Sequence, residues 1–447
     1  MTRFRYDNVY KYHIKAKTIS PLHIGSSMGG NDEILKDSLT GIPYIQASSI
    51  AGMLRDVCDS VNGDEVTESL FGASRMKEGE DDARSRVKVS DGHFDNSTIV
   101  LELRPGVSID RTTGAARKEN GAGHKFDITY VSAGAKAEFD LYLYTGRNDS
   151  STKENFEKVL GVFRSREAQL GSKKSSGAGK FVAESIQRAY FDLTSEEGRI
   201  NWRDEYKKED YVDITSNISP IHADTKYLIS IYSETEGPIL VKGISMSEFG
   251  EGAADCENLK NGVGDYIVPG TSIRGTVRSQ MEKIAAYLKK NSIIGASFGV
   301  LSDSYEDSRC GNLVFNDAVI GTKENNRNNP IRSRIHIDKF TGGVMSQALF
   351  SEQNANGKLD MSIEILNKND PDATLGLLLY ALRDLANNSY NLGGGYATGK
   401  GFIRVSKIVI SDGSNKAELR FDENNSSIGG KKEIIDVALG KLKEVQG

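Results

Sequence analysis

The chain has 447 residues, with 57 basic against 62 acidic side chains and a net charge of −5. That length exceeds one ordinary core and predicts two domains of roughly 200 residues each. An acidic total argues against a uniformly basic nucleic-acid coat, so an anionic ligand has to be held by local basic segments. Cys58, Cys256 and Cys310 lie far apart and form no C-x-x-C pair, which suggests neither a zinc knuckle nor a disulfide framework. The N-terminus leads into no apolar signal core, and the apolar run 375–382 is too short to span a bilayer. The expectation is a soluble cytoplasmic protein.

Alternating apolar residues predict a first strand from Tyr12 to Ile19. The loop 26–36 after it contains Asp32 and Glu33, with Asp37 just beyond. A helix is predicted to begin near Ser48 and Ser49, whose hydroxyls suit N-caps, and it carries Arg55. Residues 104–125 form a basic stretch containing Arg104, Arg111, Arg117, Lys118 and Lys125. A strand over 137–144, a helix over 153–168, a glycine-rich loop over 171–179 and a strand over 180–186 follow. Lys173, Lys174 and Lys180 add charge to that loop. Residues 193–213 are charged and lack apolar periodicity, which reads as a linker.

The same order then returns. A strand spans 226–232, and the loop 244–263 holds Glu248, Glu251, Asp255 and Glu257. A helix begins near Thr271 and Ser272 and carries Arg274 and Arg278. The basic stretch 327–339 includes Arg332, Arg334 and Lys339. A strand over 359–365, a helix over 373–386, a glycine-rich loop over 393–401 with Lys400, and a strand over 402–410 close the copy. Directly, IPYIQASSIAGMLR (42–55) faces DYIVPGTSIRGTVR (265–278), and LGSKKSSGAGKF (170–181) faces LGGGYATGKGF (392–402). Ile109-Asp110 likewise faces Ile337-Asp338. Several matches in one order with a nearly constant offset mark an internal duplication. The predicted organisation is a first module over 1–192, a linker over 193–213 and a second module over 214–447. Each module reads as a split β-α-β pattern, so the expected class is α+β: two tandem ferredoxin-like or RRM-like modules.

Ser20-Pro21-Leu22-His23-Ile24-Gly25, the run from Asp37 through Thr40-Gly41 to Arg55, and the glycine loop 171–179 resemble motifs of the CRISPR-associated RAMP superfamily. The likeness covers nearly the whole chain, once per half, and is similar to a tandem fusion of type III effector backbone subunits. It implies that each module grips guide RNA and that a thumb insertion, here the two basic stretches, kinks the guide–target duplex. It implies further that an aspartate in the loop after the first strand cuts target RNA, with other effector subunits as partners. Asp32 best matches that aspartate, with Glu33 and Asp37 as rivals. In the second half Asp255 is the choice, and an inactive second module stays open.

The residue chemistry agrees with these roles. A helix start with Ser48, Ser49 and Arg55, or with Thr271, Ser272, Arg274 and Arg278, suits a phosphate. Glycine loops let a phosphodiester approach the backbone, and Lys173, Lys174, Lys180 and Lys400 supply charge. Gly394 to Lys400 matches G-x-x-x-x-G-K, but Gly401 stands where Ser or Thr would hold magnesium, and the loop precedes a strand; nucleotide hydrolysis is rejected. RNA carries its own nucleophile, so one loop carboxylate, Asp32 or Asp255, with a divalent metal such as Mg2+, suffices for cleavage. Two function classes remain: an RNA-guided endoribonuclease subunit, and a non-catalytic scaffold that binds guide RNA.

Overall fold

A computed structural model describes residues 6–26, 33–73, 84–110, 113, 115–119, 122–123, 125–147, 149–204, 210–221, 225–243, 254–302, 308–321, 331–422 and 425–446. The chain divides into two units. Unit 1 comprises 1–102, 129–174 and 178–223; unit 2 comprises 103–128, 175–177 and 224–447.

In unit 1 the first strand, β1 (Asn8–Thr18), alternates buried Tyr12, Ile14 and Ala16 with outward lysines, as period-2 patterning requires. The helices α1 (Ala47–Asn62) and α2 (Asp64–Phe71) follow, then β2 (Val87–Val89). A two-stranded hairpin of β3 (Leu101–Val107) and β4 (Lys125–Val131) follows in the chain, its residues 103–128 belonging to unit 2. Next come β5 (Lys136–Thr145), α3 (Ser150–Leu160) and β6 (Phe181–Asp192). β1 lies between β5 and β6, antiparallel to both. Ile50, Leu54, Leu141, Leu143, Phe156 and Leu160 fill the core between sheet and helices.

Residues 193–213 are not a bare linker. Ser195 accepts a hydrogen bond from the Gly198 N–H and caps α4 (Glu196–Arg203). Trp202 on that helix packs edge-on against Phe191 and Tyr142 of the sheet. The charged surface of α4 hides this one aromatic anchor, which is why its sequence reads as linker.

Unit 2 repeats the plan. Its central strand β7 (Thr225–Thr235) is followed by α5 (Gly270–Leu288), α6 (Ser292–Phe298) and β8 (Leu313–Phe315). The hairpin β9 (Ile331–Ile337) and β10 (Val344–Gln353) comes next, then β11 (Lys358–Leu366), α7 (Pro371–Ala386) and β12 (Ile403–Ser411). β7 lies between β11 and β12. Even a strand irregularity repeats: the β1–β6 register shifts at Lys15/Ala16, and the β7–β12 register shifts at Tyr232/Ser233. The class is α+β, with two repeated modules.

Unit 2 then continues into β13 (Lys416–Asp422), β14 (Asn425–Gly430) and α8 (Glu433–Glu444). Helix α7 buries residues on nearly every side, Leu375, Leu377, Leu378 and Leu382 among them. A helix apolar all round needs a second cover, and α8 is that cover: Gly376 carries no side chain where the Ala438 carbonyl approaches. Among the described residues no helix is long and apolar enough to cross a membrane.

Candidate functional site

Each glycine-rich loop is clamped to the backbone at the end of the unit's first strand. In unit 1 the Ser172 N–H donates to the His23 carbonyl (2.9 Å) and the Gly179 N–H to the Pro21 carbonyl (2.7 Å). The Leu170 N–H closes the loop on the Gly179 carbonyl (2.9 Å). Unit 2 repeats all three bonds: Gly394 to Leu240 (2.9 Å), Gly401 to Pro238 (3.0 Å) and Leu392 to Gly401 (2.8 Å). Gly171, Gly179, Gly393 and Gly401 have positive φ, and a Cβ on any of them would strike a carbonyl oxygen. The glycines serve the chain's own close approach first.

These bonds also fix the register between the copies. His23 matches Leu240, and Leu22 matches Ile239, each bridged to the strand opposite (Val131 and Ala355). On the far side of the loop, the Glu33 carbonyl accepts from Ser26, and the Glu257 carbonyl accepts from Gly243, both at 2.9 Å. Counting back from these paired glutamates, the residue in unit 2 at the sequence position of Asp32 is Cys256, and Asp255 stands at that of Asn31.

Among the described residues, the D-x-x-T runs at Asp37, Asp110 and Asp338 form the same turn. Asp37 accepts from the Thr40 N–H (2.7 Å), the Thr40 hydroxyl (2.9 Å) and the Leu39 N–H (3.0 Å). Asp110 holds Thr113 by the same two groups, and Asp338 holds Thr341 and Phe340. In the hairpins the turn sits at the tips, as side-chain–backbone bonding by Asp favours. Bonds from Thr40, first its N–H and then its hydroxyl, hold the Asp37 carboxyl below the usual range. A depressed folded-state value means that the turn's contribution is present above the ordinary carboxylate pKa and lost as pH falls through the lowered one. Thr40→Val should move the Asp37 midpoint upward in carboxyl-carbon NMR titration. An unmoved midpoint would count against the turn.

A sequence model of the RAMP superfamily matches residues 15–182 and again 218–404. The chain belongs to the RAMP superfamily. Among curated proteins it is similar to the CRISPR system Cms endoribonuclease Csm3 of Streptococcus thermophilus, 25% identical over 203 residues, 40% of this chain and 88% of that protein. Among solved structures it is similar to a chain of the Type III-B Cmr-beta bound to cognate target RNA, with a TM-score of 0.31 and 16% identity. That match covers 40% of this chain and 61% of the other, so it spans about three-fifths of its length.

The two RAMP units treat the helix starts differently from the sequence expectation. α1 begins at Ala47 and α5 at Gly270, and neither Gln46 nor Pro269 offers a side-chain cap. The hydroxyls of Ser48, Ser49, Thr271 and Ser272 fall inside the first turn, so none of them is an N-cap. A distant aspartate takes the first N–H instead: Asp91 bonds Ala47 (2.7 Å) and Asp317 bonds Gly270 (2.8 Å). An anion already faces each helix start, which satisfies the dipole that a phosphate would otherwise use. Ser48 and Thr271 remain at the surface.

The arginines of this motif also hold protein. Arg55 donates to the Gly72 carbonyl (2.9 Å) at the end of α2. In unit 2 the matching helix end is held by Arg274, which donates to the Phe298 carbonyl (3.1 Å). Arg278 lies over the Phe298 ring and pairs with Glu282 (2.8 Å). Lys400, read from sequence as a loop cation for RNA, is 2% exposed and ion-paired with Glu352. The loop closes over its stem, so this lysine is not on the surface.

Lys173 and Lys174 are exposed on the unit 1 loop, and Lys180 is half-buried, its N–H on the Ser20 hydroxyl (2.8 Å). Arg117 and Lys339 are exposed near the hairpin tips, and Arg334 is half-buried at 3.1 Å from Glu352. Arg111 and Asp32 lie outside the described residues. Asp255 is exposed, and its carboxylate accepts from both the N–H (2.6 Å) and the hydroxyl (3.0 Å) of Ser351. Glu257 is taken up by the Tyr266 hydroxyl (2.8 Å) and Lys260. Among the described residues no three His, Cys, Asp or Glu side chains gather as a metal site. Glu248 and Glu251 of the same loop lie outside the described residues.

Sequence reading missed Asp91 and Asp317, which cap across 44 and 47 residues. Their match in the repeat, Ser90-Asp91 against Asn316-Asp317, was the available signal.

Proposed function

We propose that this chain is an RNA-binding backbone subunit of a type III CRISPR effector complex. It holds guide RNA on two RAMP units, meets complementary target RNA at its hairpins, and joins other effector subunits. The observation that carries this reading is the pair of exposed hairpins. On β9–β10, Phe340 is 92% and Leu349 70% exposed, among exposed Arg332, His336 and Lys339. On β3, Leu101, Leu103 and Val107 are likewise exposed. Apolar side chains in water beside cations suit a partner with flat apolar faces and phosphates, which is what RNA offers.

Cleavage is assigned to the loop that precedes Glu33. The target's 2′-OH attacks its own phosphorus, a carboxylate takes the hydroxyl proton, and the 5′-oxygen of the next nucleotide leaves. The products are a 2′,3′-cyclic phosphate and a 5′-hydroxyl. Asp32 is the assigned base, because Asp37 is committed to its turn. Mg2+ supplies charge neutralisation on the phosphate in this reading, and chelation tests it. In unit 2 the candidate is Asp255. Its engagement by Ser351, and the Cys256 that stands in Asp32's register, favour a unit that binds without cutting.

Binding of labelled RNA across a salt series tests the first claim: affinity should fall steeply, as phosphate contacts require. Arg55→Ala should leave that slope unchanged while lowering stability by about 1–2 kcal/mol, since its bonds are to protein carbonyls. A flatter slope with unaltered melting would return Arg55 to the phosphates. Labelled target with unaltered ends after incubation in the assembled complex would favour the scaffold reading.

A further inference from the structure

Lys400 lies at the end of the glycine-rich loop of unit 2, yet its side chain points into the protein. Its stem runs across Gly395, where a Cβ would meet the lysine Cδ at 2.7 Å. Gly395 has φ +85° and its carbonyl accepts from the N–H groups of Thr398 (2.9 Å) and Lys400 (3.2 Å). The loop is therefore wound around this one side chain. The ammonium ends on Glu352 of β10, and Glu352 is shared with Arg334 of β9 at 3.1 Å. Glu352 is 7% exposed. One buried carboxylate thus ties the loop to both strands of the hairpin, near its base.

The first copy of the sequence repeat carries no charge at the matching positions. The shared bonds pair Gly401 with Gly179, Ala355 with Val131 and Asp338 with Asp110. Counting from these puts Ala178 at the position of Lys400, Ile128 at that of Glu352 and Gly106 at that of Arg334. Ala178 and Ile128 are buried. The fold therefore tolerates apolar residues there, and a buried ion pair adds little net stability over an apolar replacement. What the ions add is a directional link.

We propose that Lys400, acting through Glu352, is a positioning residue that locks the β9–β10 hairpin to the glycine-rich loop of unit 2. Loop and hairpin are then presented as one rigid surface. The lock rests on the geometry of unit 2 alone; its consequence for RNA rests on the reading above.

The test uses the full chain as Lys400→Met, Glu352→Gln and the double variant Lys400→Met/Glu352→Ile, which installs apolar residues as in the first copy of the repeat. Hydrogen exchange without RNA should speed up about tenfold or more at 331–337 and 344–353 in Lys400→Met and in the double variant. Exchange in β7 and β12 should stay as in the parent chain. Glu352→Gln leaves two cations without their carboxylate and should melt lower than the double variant. In the RNA arm, the salt slope should be unchanged in Lys400→Met, whereas loss of a phosphate ligand would lower it by roughly one. Unchanged hairpin exchange in the double variant overturns the lock. A slope lowered by one with unchanged exchange makes Lys400 a phosphate ligand and also overturns it. If the parent chain binds no RNA, the reading above falls, while the exchange result still decides the lock.

Discussion

Asp32→Ala should abolish one cut in guide-paired target RNA and leave guide binding intact. Removing the base from a 2′-OH attack costs roughly two to four orders of magnitude in rate. The proposed guide-RNA contacts do not include that carboxylate, so affinity and salt slope should match the parent complex. Asp37→Ala is the control. Its carboxylate is committed to Thr40 and Leu39, so its loss should loosen a turn and leave the cut in place. Asp255→Ala separates one active unit from two. If wild type gives two cuts and Asp255→Ala removes one, unit 2 is catalytic despite the bonds to Ser351. If wild type gives one cut, lost only with Asp32→Ala, unit 2 is a scaffold. Mapping both fragment ends completes the test, because a 3′-hydroxyl on the upstream piece would exclude attack by the 2′-OH. Persistence of every cut in Asp32→Ala removes Asp32 from the mechanism.

Gly179→Ala and Gly401→Ala should each destabilise their unit by about 3–5 kcal/mol, among the largest effects of a single added methyl. Both residues have positive φ (86° and 79°), which costs an alanine about 1–2 kcal/mol. In both, the new Cβ would also run into a main-chain carbonyl, that of Leu170 or Leu392, which cannot rotate aside as a side chain does. For units of about 200 residues this corresponds to a loss of roughly 10 °C in melting temperature. Gly399→Ala is the matched comparison. It has φ 74°, but nothing lies within 4 Å of its Cβ position, so it should cost only about 1 kcal/mol. Thermal melting of the three variants decides the matter. Equal effects would mean that φ, not close approach, selects these glycines.

The sequence by itself determined what is local or repeated. Period-2 alternation marked β1 and β7, and the repeated order of elements placed the helix α7. The D-x-x-T turns are local, because Asp and Thr meet within three residues, yet the same run at Asp64 and Asp149 starts a helix. The duplication placed both glycine loops and both basic stretches, because a repeated order needs no knowledge of contacts; that the stretches fold as hairpins came from the structure. The tertiary structure decided everything that depends on a partner far along the chain. Asp91 and Asp317, not the adjacent hydroxyls, take the helix N–H groups. Arg55 and Arg274 hold the same helix end from different positions in the motif, since a long side chain can reach it from either turn. Lys400 carries the charge of a surface loop yet lies buried, because Glu352, 48 residues earlier, supplies the counter-charge. The α4 segment has the composition of a linker, and only the ring of Trp202, set against a sheet assembled from distant strands, gives it a place to dock.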